Sequence, residues 1–160
     1  MAADVRDGLW TTSLEDGFVV FLIGARINRL RSVRSWLPVV RAMGPMIAEL
    51  AADPESGFLS GRSVFDPPRG VTSIQYWRSA EHLESYARDP DRRHQPAWRD
   101  FYKASNDGSV GIWHETHVVT QHEVVYGHMP TFGLGRAGAL VRVGNSTRSA
   151  RSRRVGAAEK

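Results

Sequence analysis

The sequence predicts a single α+β domain, and three observations predict it. Its 160 residues suit one domain with a real hydrophobic core. Apolar residues make up 41% and charged residues 24%, which excludes disorder across the whole chain. Strand-like and helix-like periodicities then alternate along it in the order strand, helix, strand, strand, helix, strand.

The first sixteen residues hold no clear periodicity and read as a loosely attached lead-in, residues 1–16. Phe18–Arg26 (FVVFLIGAR) is rich in β-branched and aromatic residues and predicts a buried strand. Over Ser35–Leu50 the period changes. Trp36, Val40, Met43, Ile47 and Leu50 recur at three- and four-residue steps and make one apolar helical face. Ser35 suits the N-cap and Pro38 the first turn, Pro45 predicts a kink, and Asp53-Pro54 predicts the end. Phe58–Phe65 and Val71–Trp77 are strands joined by the turn residues Asp66-Pro67-Pro68-Arg69-Gly70, so they predict a hairpin. Ser79 caps a second helical stretch through Ala87, which Asp89-Pro90 interrupts and Trp98, Phe101 and Tyr102 resume. After the turn Asn106-Asp107-Gly108, Val110–Val119 predicts a fourth strand and His122–Tyr126 a short fifth.

This order is the split βαβ, or ferredoxin-like, arrangement: an antiparallel sheet with both helices on one face. The first strand is apolar on both sides, with Phe18, Val20 and Leu22 one way and Val19, Phe21 and Ile23 the other. A homodimer that presses two sheets together around a cavity would cover the second side.

Other classes fall away. There are no cysteines, so disulfides, thiolate catalysis and Cys-ligated metal are excluded. No apolar run is long enough to span a bilayer, and no basic-then-apolar leader is present, so a soluble cytoplasmic protein is expected. The net charge of +4 is unevenly placed: Arg136–Lys160 holds seven basic residues and one acid, a net +6, which leaves the body at −2. That Ser/Gly/Ala/Arg-rich end predicts a disordered basic tail over residues 139–160, leaving 17–138 as the folded domain. Nucleic acid is therefore not an expected partner of the body. Phosphate loops, dinucleotide fingerprints and the GxSxG serine elbow are absent.

His114-Glu115-Thr116-His117 invites a zinc-protease reading, but that motif needs histidines four apart on a helix. Here they are three apart on a predicted strand and face opposite ways, so no metal site is expected. His114 shares its face with Val110, Ile112, Thr116 and Val118, and is either hydrogen-bonded in the core or lining a cavity. Glu115 lies on the other face and could bridge to Arg26 or Arg62. Arg26 and Asn28 extend the first strand beyond Leu22, where two polar groups could hold a substrate oxygen or simply pair at the surface. Tyr126 and His128 share one face; if their strand pairs with the fourth, the Tyr126 phenol approaches His114. Trp77, His94 and Trp98 frame the second helix as core or interface aromatics, and Trp77 is retained as a substrate contact.

Several stretches carry a resemblance: GARINRL (24–30) with SWLPVVRAM (35–43), YWRSAEHLESYARDP (76–90) with HQPAWRDFY (94–102), and GIWHET (111–116) with EVVYGHMPTFGL (123–134). Together they resemble the monooxygenase-like family typified by the fumagillin-pathway enzyme, related to the antibiotic-biosynthesis monooxygenases of the dimeric α+β barrel superfamily. His117 and Gly127-His128 depart from its pattern. The resemblance implies a homodimeric barrel that oxygenates a small hydrophobic metabolite with O2. Relatives in the wider superfamily work without cofactor or bind haem, as in aldoxime dehydratases.

Three functional expectations follow. In the first, no cofactor is needed: His114 takes an acidic proton from a phenol or enolisable ring, Tyr126 and Arg26 stabilise the oxyanion, and Asn28, Glu115, His128 and Trp77 contact the substrate. In the second, haem binds with His114, His94 or His128 as axial ligand. In the third, the chain only sequesters an apolar metabolite.

Overall fold

A computed structural model describes residues 4–14, 17–92, 98–99, 101–102 and 106–156. Its centre is a four-stranded antiparallel sheet built from β2 (Val19–Ile27), β3 (Phe58–Asp66), β4 (Gly70–Trp77) and β5 (Val110–Val118), in the order β3-β4-β2-β5. Helix α1 (Val33–Ala52) follows β2 and α2 (Ala80–Arg88) follows β4. This is the ferredoxin-like α+β arrangement that the periodicities predict.

Local chemistry explains the elements. The Ser79 side chain accepts from the His82 N–H and caps α2. Beyond α1, Asp53 accepts from the Glu55 N–H and opens a short 3₁₀ turn (Pro54–Ser56). Helix α1 starts at Val33, two residues before the expected Ser35 cap, and Ser32 occupies the cap position without a side-chain bond. Pro38 therefore lies deeper than the first turn, and the helix runs through Pro45 as one 20-residue element.

Strand register divides the sheet into two faces. Val19, Phe21, Ile23 and Ala25 of β2 face the helices, together with Val71, Ser73, Gln75 and Trp77 of β4 and Ile112, His114 and Thr116 of β5. Fully buried Val19 and Trp77 join Leu50, Leu83 and Tyr86 as the core, with the Phe58 ring edge-on to Trp77. The opposite, outer face carries Val20, Leu22 and Gly24 of β2, Tyr76 of β4, Arg62 of β3, and Trp113, Glu115 and His117 of β5. Gly24 is required there: a Cβ would sit 2.5 Å from Nε1 of the Trp113 indole that lies across it.

Both chain ends correct the sequence-based expectation. Residues 9–13 of the expected lead-in form β1 (Leu9–Ser13). The expected basic tail supplies β8 (Ala139–Arg142) and β9 (Val155–Gly156). Strand β1 is the centre of a second sheet, between β7 (Tyr126–Gly127) and β8, while β9 pairs with β6 (Gln121–His122). The single fifth strand expected over 122–126 is thus two short ones with different partners.

Composition failed for the tail because its order rests on backbone pairing and one ion pair rather than on apolar burial. The Arg153 side chain, 9% exposed, bonds Glu123 through Nε at 2.6 Å and donates to the carbonyls of Thr147 and Arg148. Replacing Arg153 with Ala is expected to cost about 1.5–3 kcal/mol, the usual worth of hydrogen bonds to charged groups. Urea denaturation monitored by circular dichroism measures it; a disordered tail would give a change near zero.

Candidate functional site

The helix-covered face of the sheet holds an apolar groove. Its floor is Phe21 and Ile23 of β2 with Gln75 and Trp77 of β4; its roof is Met43, Met46 and Leu50 of α1, with Trp98 beside them. A neighbouring part along Ala25, Val71, Val39 and Phe101 is almost wholly apolar. The part below α2 encloses about 250 Å³, close to the smaller pockets that take small organic ligands. The apolar residues follow directly from α1's three- and four-residue spacing laid on the two-residue alternation of β2.

One side of the groove is the edge strand β5, where His114 and Thr116 are exposed and line the opening. The His114 ring leans on Phe21 at 5.8 Å between centroids. His114 makes no hydrogen bond to any described residue, so its ring nitrogens stay open to a molecule in the groove. It is therefore neither the hydrogen-bonded core histidine of one sequence reading nor outside a cavity.

The floor contains a buried polar chain that the sequence reading missed. The Trp77 indole N–H donates to Gln75 Oε1 at 3.0 Å, and Gln75 Nε2 donates to Ser73 Oγ at 3.3 Å. Counting by twos from Trp77 would have placed Gln75 and Ser73 on the helix-covered side; a glutamine at such a position is the available signal.

The other expected site residues do not gather around His114. Tyr126 lies in β7, which pairs with β1 and not with β5, so the expected approach across the ladder does not occur. Its hydroxyl instead accepts from the Gly135 N–H at 2.9 Å. It lies beside Tyr76 of the outer face, whose phenol is pushed above its ordinary pKa by burial and by Tyr126, against an opposing pull from Arg62. The Arg62 guanidinium stacks on Phe132.

Arg26 points to the outer face with Leu22, and Asn28 donates to the Gly108 carbonyl as a loop anchor. Glu115 pairs with His117 at 3.1 Å on the outer face rather than with Arg26 or Arg62. His128, at φ 50°, pairs with Asp7. Trp77 is fully buried and forms groove floor rather than groove mouth. His94 lies outside the described residues. Two causes account for most of this: alternation puts Arg26 and Glu115 on the face away from the groove, and Tyr126 and His128 bond to the first chain end rather than to β5. Among the described residues no cluster of three or more His, Asp or Glu side chains could hold a metal ion.

Residues 18–134 match the family described as Monooxygenase af470-like. The chain belongs to that family. Its match covers the sheet, both helices and the groove. No curated protein matches it in sequence. Among solved structures, an aldoxime dehydratase is 20% identical, with a TM-score of 0.57 over 74% of this chain and 37% of that one. A second, OxdRE, in complex with butyraldoxime, is 18% identical, with a TM-score of 0.56 over 73% of this chain and 36% of that one. The likeness is one of fold, and this chain spans about a third of those enzymes' length. SnoaB, a cofactor-independent oxygenase from Streptomyces nogalater, is 11% identical, with a TM-score of 0.47 over 64% of this chain and 93% of that one.

A ligand in the groove should be blind to the outer face. Calorimetric titration with 2-naphthol is expected to give the same affinity, within about twofold, for Tyr126→Phe, Arg26→Ala and the parent protein. Met46→Arg, which sets a charge over the apolar roof, is expected to weaken binding more than about tenfold, about 1.4 kcal/mol.

Proposed function

We propose that this protein is a monooxygenase that oxidises a small hydrophobic phenol or enolisable ring with O2 in the sheet–helix groove, without a bound cofactor. The observation that carries the reading is His114: a base with open ring nitrogens on the wall of a mostly apolar groove. Family membership supports the reaction class.

The chemistry follows from the surroundings. A ring nitrogen of His114 accepts the acidic proton of the substrate, and the imidazolium formed stays beside the substrate anion. Apolar floor and roof lower the dielectric on the groove side of that ion pair, while its other side meets solvent. The anion gives one electron to O2; substrate radical and superoxide combine with formation of a C–O bond. The imidazolium returns its proton as the O–O bond breaks. The attacked carbon loses its remaining C–H proton to the departing hydroxide and becomes a carbonyl, and the second oxygen atom leaves as water. The substrate itself supplies both electrons. Tyr126 and Arg26 have no part in this version, since both lie away from the groove; the imidazolium takes over charge stabilisation.

The groove lining supports the cofactor-free reading over haem, although His114 could ligate iron. No Arg or Lys lines the groove among the described residues to pair with the propionates, whereas the acid Glu84 does line it. Of the histidines considered as axial ligand, His128 is engaged with Asp7 outside the groove.

A second copy of the chain completes the proposed assembly. The 3₁₀ turn Gly133–Arg136 packs on β3 at one side of the outer face. Toward β5, Trp113, Glu115 and His117 remain exposed and offer a mixed apolar and charged surface. No helix among the described residues is long and apolar enough to cross a membrane.

His114→Ala is expected to abolish oxygen uptake with a phenolic substrate while leaving the circular dichroism spectrum unchanged; an undiminished rate rejects the base role. Binding with no oxidised product by mass spectrometry, in the parent protein, would instead indicate a metabolite carrier. Purified protein is expected to show no Soret band and to scatter light as a dimer, with Trp113→Glu shifting it toward monomer.

A further inference from the structure

We infer that Gln75 is a specificity-determining residue of the groove, donating a hydrogen bond to an acceptor oxygen on the substrate at the far side from His114. The inference rests on the proposed reading of the groove and deepens it.

Gln75 is 5% exposed, and it lines the groove. Its amide orientation is determined by its neighbours. An indole N–H can only donate, so the contact from Trp77 Nε1 requires the oxygen of Gln75 on that side. The NH2 group then faces Ser73 Oγ and Met43 Sδ. One N–H is satisfied by Ser73 at 3.3 Å. The other has only the Met43 thioether, at 4.0 Å, a weak acceptor at the limit of contact. A buried amide proton so poorly matched is strongly responsive to a carbonyl or ether oxygen brought in by a ligand.

Register sets the distance between this donor and the base. Ser73 and His114 lie opposite the same β2 residue, Ile23; Gln75 and Thr116 lie opposite Phe21. Donor and base thus stand two strand spacings apart and two residues apart along the strand, roughly 12 Å between backbones. A flat ring system resting on Phe21 and Ile23 spans that gap. Its acidic hydroxyl meets His114 and an oxygen on its opposite edge meets Gln75. An aromatic ring with oxygen at one edge only leaves the amide proton unmatched.

A matched pair of probes tests this. 6-Hydroxy-1-tetralone and 5,6,7,8-tetrahydro-2-naphthol share one skeleton and one phenol, and only the first carries a carbonyl across the ring. In calorimetric titrations the parent protein is expected to bind the tetralone about five- to tenfold more tightly, the worth of one hydrogen bond. Gln75→Met is expected to bring the two to parity while holding the tetrahydronaphthol within about twofold. If Gln75→Met fails to fold, 6-methoxy-1-tetralone and 6-methoxytetralin decide in the parent, since neither has an acidic hydroxyl and only the first carries the carbonyl. Equal affinities in the parent, or a preference that survives in Gln75→Met, overturn the assignment of Gln75 and leave the groove reading standing. No binding of either probe overturns the groove reading and this assignment with it.

Discussion

Alternation of side chains along β2 divides this protein into two chemically different halves. Odd-numbered residues from Val19 to Ile27 face the helices, and even-numbered ones face away. Because β4 and β5 pair with β2 without a bulge, the same parity carries across three strands. His114 and Gln75 share the helix side as a consequence. Arg26, Glu115 and Tyr76 share the other.

The helix side is a core that stops short of closing. Val19, Trp77, Leu50, Leu83 and Tyr86 pack at one end. Further along, the flexible side chains of Met43 and Met46 roof a space that the sheet does not fill. Methionine adapts its shape at little cost, which suits a roof over a variable ligand. A few polar groups enter this space at its borders, among them an imidazole on the edge strand and an amide held by an indole on the floor. That is the composition of a site that orients a mostly apolar molecule by a few polar contacts.

The outer side is closed differently. Both chain ends fold back to form a second sheet, with β1 between β7 and β8, and the turn after Phe132 packs on β3. Tyr76, Tyr126 and Arg62 gather beneath it as structural polar groups. The remaining strip along β5, with Trp113 laid over Gly24, is where a second copy would sit.

The sequence by itself determined the main sheet, both helices, the Ser79 cap, the opposite orientation of His114 and His117, and the apolar surroundings of His114. These are local: each follows from period two, period 3.6 or a capping residue within a few positions. The same local patterns, through a resemblance in GIWHET and its neighbours, also pointed to the monooxygenase family. Tertiary structure alone decided which strands Tyr126 and the two chain ends pair with, since partners thirty to more than a hundred residues apart leave no trace in a local pattern. It alone placed an apolar groove under α1, on the helix side of the sheet. It also brought Gln75 of β4 and His114 of β5 to opposite sides of one groove, because only strand order and register fix which distant side chains share a wall.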